Sequence, residues 1–391
     1  MKFWLEPKTK KLNKKKIIIT SLILILIVFM VTIYIVYINN QKVREYIDTK
    51  ILNKEIYENG AIVLEINELD ESTVIGMNNK IGTLKNSEFI IYNSAGNKIS
   101  DLKILISDCI YDQKNRFLVL AEKNGKKIYL IENEKIKWEA ETDGNIQNVY
   151  LNTNGYVAIT TTGTSHKTVI GMFDLEGKLM FNSYLSTTTV IDISISSDNK
   201  YIAFAEIDTS GAVITSNIKV LSVQKIEDNI SDCIEKTYII ENGKLITDIE
   251  YVGKDRITVM CTDSISIFEN GKESKIPELK DKKVVFQSIN IREAAIILEE
   301  KSTGIFSADS VVNIINTNTL ENKEYTLEDT IKKIYTKDDI VAVNTGTKIE
   351  FITTNGWLAK RYIATKELSN IVLGEDIAAI IYRDRIEIIS L

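Results

Sequence analysis

Hydrophobic positions along this chain fall into three patterns. From Ile17 to Ile38 they run for 22 residues, IIITSLILILIVFMVTIYIVYI, without a charge, Gly or Pro. A helix of that length rises about 30 Å, the thickness of a bilayer's hydrocarbon core, so residues 17–38 are expected to span a membrane. A cleavable signal has roughly 7–15 apolar residues and ends in small ones. This run is longer and leaves through Tyr34, Tyr37, Asn39 and Asn40, so it reads as an uncleaved signal anchor with tyrosines at the interface. In the second pattern Val43, Ile47, Ile51 and Leu52 recur at near-helical spacing, which predicts a helical stalk over 39–59, ended by Asn59-Gly60.

The third pattern covers the rest. Short runs are apolar at every position: Phe117–Ala121, Tyr156–Thr160, Tyr201–Ala205, Ile257–Cys261, Ala294–Leu298, Ile340–Val343 and Ile377–Ile381. A half-exposed strand would alternate, so these strands must be covered on both faces. Turns such as Asn154-Gly155, Asp198-Asn199 and Lys254-Asp255 precede several of them. Behind them a strand ending in an aromatic or aliphatic residue meets a glycine turn, at Gly96, Gly177, Gly271 and Gly356. These glycines are separated by about twice the 40–47 residues of a four-stranded propeller blade.

Blades stack face to face around an axis, which buries their inner strands on both sides. The wedge narrows inward and favours small residues, such as Ala158, Ala203, Ala295, Ala342 and Ala379. With strands a to d counted outward, strand a is expected near residues 74, 108, 149, 192, 248, 286, 333 and 371, a mean step of about 42. The last repeat stops one strand short, and Ala61–Ile66 is a strand left over before the first. Pairing the two closes the ring and removes its edges. The expected fold is therefore all-β, an eight-bladed β-propeller over 60–391 in preference to a seven-bladed one, with an N-terminal transmembrane helix.

Charge sets the orientation. The chain carries a net −6, yet residues 1–16 hold seven Lys against Glu6, leaving about −12 on the remainder. Such an acidic body does not suit nucleic acid, and no nucleic-acid partner is expected. The lysine cluster ahead of the span keeps the tail 1–16 in the cytoplasm and sends the propeller outside the cell membrane.

The repeats resemble the WD-repeat and quinoprotein-like propeller superfamilies over nearly all of 60–391. The quinoprotein pattern is echoed at Lys135-Ile136-Lys137-Trp138 and Gly356-Trp357, whereas no Trp-Asp dipeptide or Gly-His pair is present. Together with its anchor, the chain looks like a family of single-pass propeller proteins of Gram-positive bacteria. That resemblance implies architecture and location and no catalytic residues.

Candidate chemistry is sparse. The sequence shows no set of acidic ligands and basic contacts for a quinone cofactor, no pairable carboxylates for glycoside hydrolysis, and no calcium-loop pattern at Glu141–Asn145. Trp138 is expected to pack on a neighbouring blade. The single histidine, His166, lacks a placed partner. Three scattered cysteines, Cys109, Cys233 and Cys261, form neither a disulfide framework nor a zinc site. No cofactor, metal or catalytic residue is assigned.

Three b–c connections are longer than the rest and rich in Ser, Thr and Gly: Thr160–His166, Asp208–Asn217 and Lys301–Ser310. Long loops on a rigid scaffold favour binding, so Thr162, His166, Asp208, Ser210, Ser302 and Asp309 are the expected contact residues. The function this suggests is a tethered, non-catalytic binding or scaffold module for a protein, peptide or cell-envelope polymer. The alternative is an extracytoplasmic enzyme, quinoprotein-like or glycoside-hydrolysing, with a deep axial pocket.

Overall fold

A computed structural model of the chain describes residues 14–391 except 53, 55, 57–60, 66–72, 163–164, 229, 231, 242, 277–282 and 303–307. It divides into two units, residues 1–56 and 57–391.

In the first unit, helix α1 (Lys14–Asn39) includes one stretch, Ile18–Asn39, long and apolar enough to cross a membrane. The expected continuous stalk is interrupted. Asn40 is extended (φ −122°, ψ 107°), and its side chain accepts the Val43 N–H to cap a new helix, α2 (Gln41–Tyr46). A π-helical turn over Ile47–Ile51 follows. Asn competes for backbone hydrogen bonds and so favours a cap over a helix interior, which is why apolar spacing alone misses the break. The Tyr37 hydroxyl donates to the Asp48 carboxylate at 2.9 Å, and Lys54 pairs with the same group at 2.8 Å. The predicted stop at Asn59-Gly60 lies outside the described residues.

The second unit is a propeller of eight four-stranded antiparallel sheets. The first strands of blades 1 to 8 are Thr73–Met77, Cys109–Lys114, Asn145–Leu151, Thr188–Ile195, Ile246–Val252, Lys283–Ser288, Lys333–Lys337 and Asn370–Leu373. The strands expected to be covered on both faces are the second strands of their blades, and Ala158, Ala203, Ala295, Ala342 and Ala379 in them are fully buried. Packing follows the ring: among the described residues, eight apolar clusters each lie across one blade-to-blade seam. Phe117, Leu130 and Trp138 of blade 2, for instance, pack on Val149, Ile159 and Phe173 of blade 3. Phe351 and Tyr362 of blade 7 pack on Ile371 and Ile380 of blade 8.

Trp138 stacks on Phe173 of the next blade with ring centroids 5.7 Å apart, as expected from sequence. Gly177, in the outer hairpin of blade 3, lies against that indole. A Cβ there would press on the Trp138 ring, and its φ of +80° is one an L side chain rarely adopts.

Ring closure decides the blade count. The leftover strand Ile62–Glu65 is the outer strand of blade 8 and runs antiparallel to the last strand, Arg385–Ser390, with Ile62 opposite Ile388 and Glu65 opposite Arg385. Chain segments more than 300 residues apart thus share one sheet.

The blades are not equivalent. In blades 3 to 6 the pairing of the first two strands slips by one residue, between Ile146 and Asn148, Val190 and Asp192, Ile246 and Asp248, and Val284 and Phe286. The corresponding pairs in blades 1, 2, 7 and 8 are regular. A bulge of this kind re-aims the side chains beside it.

Candidate functional site

The propeller presents two faces. One carries the b–c and d–a connections; the other carries the a–b and c–d turns. The residues expected to make contacts lie on the first. Thr162 ends the second strand of blade 3, Val157–Thr162, and is exposed. His166 follows in the b–c connection, with Nδ1 3.3 Å from Ser186 Oγ and its ring tilted against Tyr184 at 4.9 Å. Asp208 ends the strand Tyr201–Asp208 and accepts from the Ser210 N–H at 2.8 Å and its Oγ at 2.6 Å. Those two bonds hold the Asp208 carboxyl below the usual range. Ser302 ends the second strand of blade 6, Ala294–Ser302, and Asp309 lies in the third, Ala308–Asn316, opposite Lys301.

One difference from expectation stands out. The strands run further into the connections than the polar residues suggested, ending at Thr162, Asp208 and Ser302 and resuming at Thr168, Thr215 and Ala308. Within them 163–164 and 303–307 fall outside the described residues. Thr, Ser and Asp at the ends of long hairpins still pair their backbones, which composition does not reveal. The six residues lie in three blades, Thr162 and His166 in blade 3, Asp208 and Ser210 in blade 4, and Ser302 and Asp309 in blade 6. His166 and Asp208 come nearest to a common feature through Lys167, whose Nζ reaches the Thr187 carbonyl at 3.4 Å and Thr209 Oγ at 3.2 Å, tying the loops of blades 3 and 4 together.

What the loop composition missed on this face is apolar. Tyr184, Val213, Ile214, Ile239, Val284 and Val285 lie at its strand ends and loops in blades 3, 4 and 6, and Ile239 is 81% exposed. Val285 is the extra residue of the blade 6 bulge. Exposed β-branched residues gathered on one face mark an interaction surface more often than scattered ones do.

The axis holds a second feature. A cavity of about 960 Å³ follows it and is lined by the inner strands and a–b turns of every blade but the fourth. Lys114 of blade 2 reaches across the axis to Glu250 of blade 5, Nζ to Oε1 2.8 Å, with 27% and 34% of the two side chains exposed. Burial works against the Lys114 charge, but Glu250 and Asp112 outweigh it and hold the ammonium above the usual lysine range. Burial raises Glu250, with Lys114 opposing.

Beside this bar the carboxyls of Asp192 (blade 4) and Asp248 (blade 5) meet within hydrogen-bonding reach. Burial first, then the neighbouring carboxylate, pushes Asp192 well above the usual range, and burial raises Asp248. Two carboxylates this close cannot both ionise cheaply, so the pair keeps a proton. Asp192 also accepts the Ile249 N–H at 2.7 Å, and Asp112 accepts the Leu151 N–H at 2.7 Å. Each carboxylate thus satisfies a backbone donor on the unpaired inner edge of another blade. Retaining or inverting glycoside hydrolysis needs carboxyls about 5–9.5 Å apart, wider than this pair.

The sequence alone revealed neither this axial grouping of carboxylates and lysines nor the Asp192–Asp248 pair. Asp112, Asp192, Asp248 and Glu250 come from three inner strands, and only the closed ring brings them together. Among the described residues no cluster of three or more His, Cys, Asp or Glu side chains forms a metal site. Burial pushes the Cys109 thiol up to about 12 and the Cys261 thiol up to about 11, so both stay protonated and unreactive at neutral pH.

The model of a family of unknown function, DUF5711, matches residues 33–391. No curated protein matches the sequence. Among solved structures, Sqt1 from Chaetomium thermophilum is similar with a TM-score of 0.52 and 12% identity over 85% of this chain and 98% of its own. BamB from Moraxella catarrhalis has a TM-score of 0.48 and 14% identity over 84% of this chain and 100% of its own. At 12% identity the likeness to Sqt1 is one of fold.

Proposed function

The chain belongs to the DUF5711 family, and we propose that it is a membrane-tethered extracytoplasmic propeller that binds a protein partner through its b–c face without catalysing a reaction. In this reading residues 17–38 are an uncleaved anchor of the kind seen in the resembled Gram-positive family. The tail 1–16 is cytoplasmic, 39–59 is the stalk and 60–391 lies outside. The lysine-rich start and the exposed apolar helix support that topology.

The observation that carries the binding assignment is an arc of separate exposed apolar side chains round the b–c face, Val213, Ile214 and Ile239 in blade 4 and Val284 and Val285 in blade 6. In this reading Thr162, His166, Asp208, Ser210, Ser302 and Asp309 on the same face supply polar contacts beside the apolar ones, the mixture usual in a protein interface. A protein suits this surface better than a polysaccharide, whose hydroxyls would be left facing isoleucine and valine.

Site-specific photocrosslinking in intact cells tests this. A crosslinker at Ile239 or Val213 should give one reproducible protein adduct, abolished by Ile214→Asp. A crosslinker at Leu179, exposed on the opposite face of blade 3, should give none. No adduct from the arc, or the same adduct from Leu179, contradicts the proposal.

A further inference from the structure

The axial cavity contains a cation with no ion-pair partner among the described residues. Lys337 is the last residue of the first strand of blade 7, and its Nζ crosses to blade 1 to donate to the Gly76 carbonyl at 2.9 Å. Among the described residues no carboxylate lies within ion-pair distance of this ammonium. Its charged surroundings are Asp338 and Asp112, which favour its charge, and Lys114, which opposes it.

Other cations of the cavity are engaged. Lys114 is taken by Glu250. Arg292, at the mouth, faces Asp338, Asp339 and Glu375 at 3.1–3.7 Å. Lys333 lies over the Tyr335 ring at 4.7 Å. A deep ammonium held only by a carbonyl is costly unless something else pairs with it.

We propose that the axial cavity is a binding site for a small carboxylate-bearing ligand, whose anionic group sits on Lys337 Nζ and which is admitted from the a–b turn face. The site is distinct from the protein-binding arc on the opposite face. At about 960 Å³ the cavity lies within the 300–1,000 Å³ range usual for small-molecule sites. Tyr111, Asn115 and Asn290 on its wall offer hydrogen bonds and ring surface for the remainder of such a molecule. The mouth favours a carboxylate over a phosphate. Asp338, Glu293 and Glu375 there outnumber Arg292, which penalises a dianion more than a monoanion.

The strand that supplies the Gly76 carbonyl is fixed by contact. Gly76 lies so close to blade 8 that a Cβ on it would collide with the Leu373 carbonyl. Burial lowers Lys337 to about 8, so a bound anion should draw a proton onto it.

The test uses the detergent-solubilised full chain with acetate, its neutral isostere acetamide, and inorganic phosphate. Acetate should raise the melting temperature saturably and more than either comparator, as binding to the folded state alone requires. The difference should vanish in Lys337→Met. Amine-reactive trace labelling of the unmutated chain at pH 8 gives a second readout should that variant not fold. Acetate should lower Lys337 labelling about fivefold relative to exposed Lys200, the change expected if the lysine rises by about one pKa unit from near 8. Equal responses to acetate and acetamide, a larger response to phosphate, or unchanged Lys337 labelling would overturn the proposal.

Discussion

The seams between blades and the axis they surround are built by the same inner strands and obey opposite rules. The seams are mainly apolar: Phe117, Phe204 and Phe351 are at most 1% exposed, fully buried aliphatics surround them, and the few polar contacts, such as Tyr325 OH to Glu350 and Tyr362 OH to Tyr382 OH, are hydrogen-bonded. A few ångströms inward the strands carry Asp112, Lys114, Asp192, Asp248, Glu250 and Lys337. Dry burial of this kind is what stabilises a domain, at about 25 cal/mol per Å² of apolar surface. A buried charge pair seldom contributes net stability against an apolar equivalent. The contrast teaches that the ring is held chiefly by its seams, and that the axial charges are not what holds it.

The largest effect should come from cutting into a seam. Phe351→Ala, at the seam of blades 7 and 8, should lower stability by about 3–5 kcal/mol, measured by denaturant titration. The loss should be much the same at pH 5 and pH 8, since what the substitution removes is apolar contact.

An axial substitution should cost less and depend on pH. Lys114→Met leaves Glu250 without its counter-ion, and burial already raises that carboxyl. The cost should be about 1–3 kcal/mol, held down by the partial exposure of both side chains. It should be greater at pH 8 than at pH 5, where Glu250 takes up a proton more readily.

The smallest effect concerns the Asp192–Asp248 pair. A carboxyl whose pKa is raised in the folded state binds its proton better there than in the unfolded chain. Its stabilising effect is therefore complete below about pH 4, the unfolded value, and is lost as pH rises through the folded one. Asp192→Asn keeps an oxygen for the Ile249 N–H while removing the titration. The melting temperature of the unmutated chain should fall from pH 5 to pH 8 more steeply than that of the variant. Parallel profiles would show that the pair does not titrate as described.

Much of the architecture was legible because its physics is local and repetitive. Continuous apolar runs could only be strands covered on both faces, and the glycine turns at 96, 177, 271 and 356 marked the period. The orphan strand near residue 62 had one open edge to fill, and it lies against Arg385–Ser390. The axis was illegible for the converse reason. Lys114 and Glu250 stand 136 residues apart, and each reads as an ordinary polar position in an inner strand. A signal was present in that Asp192 and Asp248 occupy matching places, each directly after the bulge of its first strand. The break at Asn40 was also missed, since the apolar spacing continues through it while the capping side chain does not.

The claim that the axial charges do not hold the ring together is tested most directly by removing the crossing pair whole. The doubly substituted chain Lys114→Met, Glu250→Leu should melt at pH 7 at or above the temperature of the unmutated protein, because both desolvated charges go and neither is stranded. A melting temperature as low as that of Lys114→Met alone would contradict it and make the axis, like the seams, part of what keeps the propeller folded.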